Sequence, residues 1–302
     1  MESLPVFQVK VNEWTSEKYF DVLGMKIPVF VAPNPKLLSD VISNFQTRAE
    51  DVFVVTYPKS GTIWMQETIW QIYNNGENTS KNIFERVPFL EFSTSPILGE
   101  FADIAKVPSP RLMKSHLSYS IIPKGSSDGA KCKYIYIARN PKDVAVSYFH
   151  FTVSLASFGN GYNGPWEIFP MLYCISLTVG WNKWNDHVLG WWKHKDDPNV
   201  LFLKYEDLKK DLPSQVRLTA NFLNKPLSED IINRITEQCS FNGMTKDLSR
   251  YMVHVNESQT SILRKGVVGD WKNSFTPELN ERFEKEVLSK IEGTRLEFDF
   301  EL

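Results

Sequence analysis

The chain is poor in cysteine, in uncompensated charge and in long apolar runs, and each shortage removes a class of protein. Only three cysteines, Cys132, Cys174 and Cys239, occur in 302 residues, and they stand far apart. An odd number at such distances makes neither a disulfide framework nor a metal-ligand spacing, and it fits a reducing compartment. Lys and Arg number 34 against 36 Asp and Glu, a net charge of −2. That balance excludes nucleic-acid binding by bulk charge, so any basic ligand site must be local. The start, Met1 to Val6, has neither the basic residues nor the apolar run of a secretory signal. The best apolar stretch, around Met171 to Trp181, is short and broken by Ser176 and Thr178, too short to span a bilayer. There is no internal repeat and no low-complexity segment. The expectation is a soluble cytoplasmic protein with no membrane partner. Its 42% of hydrophobic residues can fill a sizeable core.

Against that background one stretch stands out. Val52 to Tyr57 is an apolar, β-rich run that ends in Pro58, Lys59, Ser60, Gly61 and Thr62, a loop with a cation, two hydroxyls and a glycine. Helical spacing follows at once in Ile63, Met65, Ile69 and Ile72, with Gly76 as a stop signal. A strand–loop–helix of this composition makes a phosphate site. Glycine lets the backbone approach the anion, successive N–H groups and the positive helix end face it, and Lys59 adds a point charge. The expected ligand is a nucleotide or another phosphorylated molecule.

Further strand-like runs lie at Arg111 to Lys114, Tyr134 to Ala138 and Val200 to Tyr205, with helical patterns between them. This alternation predicts an α/β fold, a parallel sheet with helices on both faces. Ligands of such sheets bind beyond the carboxyl ends of the strands, and Lys59, His116, Arg139 and Tyr205 all fall at or just after such ends. Two segments read as loops or caps: Gly159 to Pro165, dense in turn formers, and the polar Asn242 to Gly269, which carries Arg264, Lys265 and Gly266. The last helix is expected to start with Thr276 as N-cap and Pro277 in the first position. Its apolar stripe is Leu279, Phe283, Val287 and Ile291. Trp191 and Trp192 read as packing residues, and Lys209 with Lys210 as a solvated face.

Tyr134 to Ser147 repeats the strand–loop–helix logic. Asn140 suits an N-cap, Pro141 the first helical position and Asp143 the first turn. Arg139, immediately before this helix, can grip a phosphate bidentately. Alone, such an arginine reads more readily as the partner of an acid such as Asp143; with Lys59 in the same context, the phosphate reading gains. Two such sites on separate strands point to a ligand phosphorylated at both ends.

Four strings, YPKSGTIW at 57–64, PRLMKSHL at 110–117, YIARNPKDVAVSYFHF at 136–151 and RKGVVGDWKNSFT at 264–276, closely resemble the cytosolic sulfotransferases in content, order and spacing. RVPFLEF at 86–92 and LKYEDLKKD at 203–211 are similar too. The likeness runs from about Asp51 to the C-terminus. It implies a single domain over 1–302 with a five-stranded parallel sheet flanked by helices and a P-loop-like 5′-phosphosulfate loop. The implied donor is 3′-phosphoadenosine 5′-phosphosulfate (PAPS), with 3′-phosphoadenosine 5′-phosphate (PAP) as product. Carried over by position, Lys59, Ser60, Gly61 and Thr62 bind the 5′-phosphosulfate. Arg139, Ser147, Arg264, Lys265 and Gly266 bind the 3′-phosphate, and Trp64, Tyr205 and Phe241 surround the adenine.

The same resemblance gives His116 the place of the general base, a task suited to a neutral imidazole. Lys114, two residues earlier on an extended segment and therefore on the same side, is placed to touch the sulfuryl oxygens. Ser147 is placed to engage Lys59 and restrain premature donor hydrolysis. Phe89 and Phe151 match acceptor-pocket positions, and Phe158 and Tyr162 are further candidates from the glycine-rich loop. An aromatic-lined cavity favours phenols, alcohols, steroids or hydrophobic amines. No metal is implied, because Lys and Arg handle the charge.

Several positions depart from the pattern. Ile63 stands where a second threonine is common in the donor loop, and Cys239 where a threonine is common near the adenine. Ile262 and Leu263 replace the usual Phe-Met pair, and the stretch from Phe241 to Arg264 is shortened. A homodimer motif keeps Lys272, Thr276 and Glu281 but has Pro277 in place of valine, which weakens that expectation. Two rival readings remain: a P-loop phosphotransferase and a non-catalytic nucleotide-binding protein. The first lacks the required motif order, since Lys59 precedes Ser60, Gly61 and Thr62. The second is opposed by the retained Lys59, His116 and Ser147.

Overall fold

The computed structural model describes residues 5–94, 104–125, 131–156, 161–170, 180–255, 258–261 and 263–302. At its centre lie four parallel strands, β1 (Val52–Thr56), β2 (Leu112–Ser115), β3 (Lys133–Ala138) and β4 (Val200–Lys204), in the order β2-β1-β3-β4. Each coincides with a strand-like run of the sequence to within a residue. Helices α1 (Thr62–Tyr73), α2 (Pro141–Ala156), α3 (Trp184–Trp192) and α4 (Tyr205–Lys210) pack around them. Alternate side chains divide the core. Phe53, Val55, Tyr134 and Tyr136 belong to a cluster with Trp191 of α3, while Val52, Val54, Ile135 and Ile137 join Ile69 and Ile72 of α1. With both faces covered, the strands read as continuous apolar runs rather than alternating ones.

Among the described residues the sheet has four strands, not the five that the resemblance implies. Beside β2, the Pro88 carbonyl accepts from the Lys114 N–H at 2.8 Å, and Phe89 forms an isolated parallel bridge to Lys114. Pro88 has no N–H with which to extend a ladder, and the chain enters a 3₁₀ helix at Leu90–Thr94. The pairing therefore stops after one bridge.

The strand order opens the site. From β1 the chain goes first to β2 on one side and then to β3 on the other, and loops that diverge in this way leave a crevice at the carboxyl ends. The entries to β1 and β2 are locked by a buried ion pair: Arg111 Nε donates to Asp51 Oδ1 at 2.8 Å, and a second guanidinium nitrogen meets Oδ2. An N-terminal antiparallel sheet, Val6–Phe7 with Tyr19–Val22 and Met25–Pro28, flanks this core. It is tied to the segment before α3, where the Trp181 N–H donates to the Lys26 carbonyl at 2.6 Å.

The stretch read as a polar cap is more ordered than its sequence indicates. It follows α5 (Glu229–Cys239) and contains α6 (Phe241–Thr245), a 3₁₀ turn at Leu248–Tyr251 and a hairpin of Met252–Val255 with Ser258–Ser261. Long-range charge holds it in place: Arg250 meets Glu67 of α1 at 2.6 Å, and Arg86 meets the other Glu67 oxygen at 2.7 Å. The last helix, α6's downstream neighbour Pro277–Glu286, starts as expected, with the Thr276 hydroxyl accepting from the Leu279 N–H. Phe283, Val287 and Ile291 are buried, whereas Leu279 is only half-buried, and the stripe outlasts the helix through a 3₁₀ turn.

Replacing Asp51 by Ala strands the Arg111 guanidinium in a dry interior. The expected loss of stability is about 3–5 kcal/mol, read as a lower midpoint in denaturant unfolding; an unchanged midpoint contradicts this account of the lock.

Candidate active site

The loop after β1 is bent into an anion cradle. Lys59 adopts a left-handed φ of 70°, and Gly61 follows at 106°. Glycine is required at 61 for a second reason, since a Cβ there would sit 2.8 Å from the Tyr205 ring. The loop runs directly into α1, whose first-turn N–H groups have no intrahelical partners. The Ser60 hydroxyl is fully buried with no hydrogen-bond partner among the described residues, an orphan that a phosphate oxygen would satisfy. The Lys59 ammonium lies 4.4 Å from the centre of the Phe151 ring. Burial, and then repulsion from Lys114, Arg139 and Arg264, brings its pKa down to about 7.

His116 sits one residue beyond β2, and its geometry defines a tautomer. Nδ1 is 2.8 Å from the Thr56 carbonyl and 3.2 Å from the Thr56 hydroxyl. A carbonyl only accepts, so Nδ1 carries the proton and Nε2 keeps its lone pair. Burial, and then the nearby Lys114 charge, holds the imidazole well below its usual pKa, so it is neutral near pH 7. The backbone is gripped on both sides. The His116 N–H donates to Glu91 Oε1 at 2.6 Å, and the His116 carbonyl accepts from His187 Nε2 at 2.9 Å. Glu91 is buried, which raises its pKa to about 7 against the bond from His116 and the charge of Lys114. Lys114 points over the Phe89 ring at 4.1 Å, and burial lowers it to about 8, with Glu91 opposing.

A second cationic cluster forms beyond β3. Asn140 caps α2 by accepting from the Asp143 N–H at 2.8 Å. Arg139 makes the acid pairing anticipated for it, 3.4 Å from Asp143. It also donates to the Val267 carbonyl at 2.9 Å and lies 4.2 Å over the Tyr205 ring. Asp143 in turn accepts from the N–H groups of Gly269 and Trp271 at 2.9 and 3.0 Å, fixing the loop that carries Arg264 and Lys265. Those two cations reach Asp270 at 2.5 and 2.6 Å. Burial pushes the Asp270 carboxyl up, but the bonds from Lys265, Arg264 and Asn273 outweigh it and hold the pKa near about 2. Gly266 has a φ of 65°, and a Cβ there would fall 2.3 Å from the Phe241 ring.

One cleft gathers these groups. Lys59, Gly61, Thr62, Ile63 and Trp64 line it from the first loop and α1, Phe89 from the β2 edge, Lys114 and His116 from β2. Arg139, Ser147 and Phe151 line it from the α2 side, Tyr205 from α4, Cys239 and Phe241 from the α5–α6 corner, and Arg264, Lys265 and Gly266 from the last loop. Ser60, fully buried, is not among the lining residues. Trp64 and Tyr205 meet edge to face at 5.2 Å, and Cys239 is a buried thiol whose pKa burial raises.

Two readings change. Tyr162 is fully buried away from the cleft, packed on Phe149 and Phe169 with its hydroxyl on the Pro165 carbonyl; the turn formers around it fold it inward. Lys209 lines the cleft, 5.8 Å over the Trp64 ring, while Lys210 alone is exposed and pairs with Asp299 at 2.7 Å. Phe158, Cys174 and Ile262 lie outside the described residues. Glu17, Phe84, Phe92 and Trp181 also line this wall, and no local pattern in the sequence marks them. Trp181, at a φ of 69°, meets His116 edge to face at 5.0 Å. Among the described residues, no group of three or more His, Cys, Asp or Glu is placed to hold a metal, and no helix is long and apolar enough to cross a membrane.

Known proteins resemble this chain in sequence and in fold. The family model described as the sulfotransferase domain matches residues 49–295. Human sulfotransferase 1C2 is 38% identical over 269 residues, covering 86% of this chain and 90% of that protein. Amine sulfotransferase of Oryctolagus cuniculus is 38% identical over 271 residues, covering 86% and 87%. Among solved structures, mouse sulfotransferase SULT7A1 complexed with PAP superposes with a TM-score of 0.73 at 31% identity, covering 91% of this chain and 95% of that one. Retinol dehydratase in a complex with retinol and PAP gives a TM-score of 0.78 at 27% identity, covering 98% and 93%. On the match of its domain and of its relatives along most of their length, this chain belongs to the sulfotransferase family and is an enzyme of that family.

Proposed function

We propose that the protein, as one domain over 1–302, moves a sulfuryl group from PAPS to the hydroxyl or amine of a small hydrophobic acceptor in the cytoplasm. One observation carries the reading: two cationic sites, at Lys59 and at Arg139 with Arg264 and Lys265, share a cleft with a neutral His116. The residues fit a nucleotide phosphorylated at both ends. The orphaned Ser60 hydroxyl, together with the buried Arg139 and Arg264 Nε atoms that lack partners among the described residues, supplies donors at both sites. Gly61 and Gly266 leave the room that a Cβ would take. The PAP complex of the mouse relative supports the same ligand.

When bound, the donor supplies a sulfuryl group whose leaving group is a phosphate oxygen. His116 Nε2 faces the task of taking the acceptor proton, since Nδ1 is already committed to the Thr56 carbonyl. Lys59 is held at the first site, where positive charge offsets the charge growing on the leaving oxygen. Lys114 lies over the Phe89 ring, and its charge would suit the sulfuryl oxygens. Ser147, on the second turn of α2 and lining the same cleft, would hold Lys59 between turnovers. Displacement is in line, with acceptor and leaving oxygens on opposite sides of sulfur. Phe89, Phe151 and Trp181 give the acceptor half its apolar wall. A homodimer through Lys272, Thr276 and Glu281 stays part of the proposal, weakened by Pro277.

His116→Ala is expected to keep PAP affinity within about twofold and to lose roughly 10²–10⁴-fold in transfer, measured with labelled donor and a phenolic acceptor. Transfer at the parent rate removes His116 from the role of base. A second expectation concerns pH. In the free protein the Lys59 and Lys114 pKa values are lowered to about 7 and about 8, and a bound polyanion favours the protonated forms. PAP affinity is therefore greatest below this window and falls as pH rises through it. Above pH 7 the nucleotide phosphates (second pKa about 6) are already mostly ionised. Calorimetric titration between pH 7 and 9 checks this; an affinity constant across that range overturns the assignment of Lys59 to the anion site.

A further inference from the structure

We infer that Glu91 is a positioning residue of the proposed transfer: its carboxylate fixes the backbone of Ser115 and His116, so that the imidazole keeps Nδ1 on the Thr56 carbonyl and Nε2 free for the acceptor. The inference rests on the sulfotransferase reading, in which His116 is the base. Glu91 is fully buried and is not among the residues that line the cleft. It touches neither donor nor acceptor and acts through His116.

The need for such a residue comes from the edge of the sheet. Strand β2 is an edge strand, so its outward N–H groups have no neighbouring strand to bond. The Lys114 N–H finds the Pro88 carbonyl at 2.8 Å, but by the next outward position the chain has turned into the 3₁₀ helix Leu90–Thr94. Glu91, in that helix, takes the place of the missing backbone. Its Oε1 accepts from the His116 N–H at 2.6 Å and from the Ser115 hydroxyl at 3.1 Å. The same hydroxyl accepts from the Leu117 N–H at 3.0 Å, so one carboxylate oxygen fixes three successive residues. From the other side, His187 Nε2 donates to the His116 carbonyl at 2.9 Å. With its N–H and carbonyl both held, His116 keeps only side-chain rotation, and the Thr56 carbonyl settles that.

A glutamine could hold the same N–H, so the choice of a carboxylate needs a reason. Burying an ionised carboxylate is costly, and Oε2 has no hydrogen-bond partner among the described residues. Two features offset that cost. Hydrogen bonds to an ionised acceptor are shorter and about twice as strong as neutral ones, and the bond from His116 is short. The Lys114 charge also favours the ionised form, and Glu91 in turn opposes the loss of the Lys114 proton. One buried group thus stiffens the backbone under the base and steadies the cation two residues before it.

A double-mutant cycle between Glu91 and His116 tests this on the full chain at pH 7.5, above the Glu91 pKa of about 7 and below the Lys114 pKa of about 8. Transfer is measured with saturating labelled PAPS and a phenolic acceptor. Glu91→Ala is expected to lower kcat by about 10–10²-fold, the scale of an ångström-sized misplacement, while PAP affinity stays within about twofold. In the His116→Ala background the same substitution costs less than about threefold, because no imidazole is left to misplace. Glu91→Gln keeps the shape and an acceptor oxygen but not the charge, and its loss is smaller, about three- to tenfold. If Glu91→Ala does not fold, Glu91→Gln gives the same cycle. A loss of equal size in both backgrounds marks a merely structural role and overturns the inference, as does a parent-like kcat in Glu91→Ala. A second readout needs no turnover: nitrogen NMR of isotope-labelled histidines in the ligand-free chain, with the His116 signals assigned by their absence from His116→Ala. The parent is expected to show the Nδ1–H tautomer and Glu91→Ala a mixture; a parent-like tautomer in the variant overturns the inference. A mixture in the variant, with no transfer by the parent to any acceptor, supports the positioning role and overturns the sulfotransferase reading instead.

Discussion

Like charges crowded into one cleft are the constraint around which the rest of this structure is arranged. Lys59, Lys114, Arg139, Arg264 and Lys265 all line the same cleft, and in a poorly hydrated wall such charges repel strongly. The lowered pKa values of Lys59 and Lys114, about 7 and about 8, record burial together with that repulsion. Behind the cations stand carboxylates. Asp270 holds Arg264 and Lys265, Asp143 holds Arg139, and Glu91 faces Lys114. Lys59 lies over the Phe151 ring, as Lys114 lies over Phe89, but its charge is shifted by burial and by cations alone, with no carboxylate opposing them, so it depends most on what enters the cleft.

The carboxylates also build the architecture. Asp143 caps nothing by itself, yet it takes N–H groups from Gly269 and Trp271 and so binds the last loop to the start of α2. Glu206 takes the Asn140 N–H at 2.8 Å and does the same for the turn before α2. On the other side, Thr62 at the start of α1 meets the Thr56 hydroxyl at 2.7 Å, and Thr56 meets His116 Nδ1. The anion loop and the imidazole are thus two ends of one short hydrogen-bonded chain. The parallel pairing of β1 with β2, with Val55 opposite Ser115, makes that possible by bringing the loop after one strand beside the loop after the next.

What the sequence disclosed follows the range of the interactions involved. The strands are legible because a sheet buried on both faces needs apolar runs, and the helix starts at Asn140 and Thr276 are legible because a cap acts within three or four residues. Contacts that span the chain leave no such trace. Nothing near Trp181 indicates that its N–H meets Lys26, nothing near Arg250 that it meets Glu67, and nothing near Glu17 that it faces the same cleft as His116. Lys209 reads as solvated because its partner, the Trp64 ring, lies far away in sequence. Among the described residues no fifth strand forms, and beside β2 the pairing ends after one bridge next to Pro88.

The two proposed anion sites differ in how their cations are held, and the difference bears on the proposed reaction. At the far site the cations are already matched to Asp143 and Asp270, and backbone bonds fix their loop; a phosphate there meets donors that need little rearrangement. At Lys59 the charge is only partly present near pH 7 and grows when negative charge approaches. A group of that kind responds more to an oxygen gaining charge than to one that is already stable, which is the condition for lowering a barrier rather than merely tightening ground-state binding. The strained, left-handed backbone at Lys59 fits the same division, since strain is retained where the surrounding structure over-determines the conformation. On the proposed function, recognition falls to the end of the cleft whose cations are already paired and reactivity to the Lys59 end.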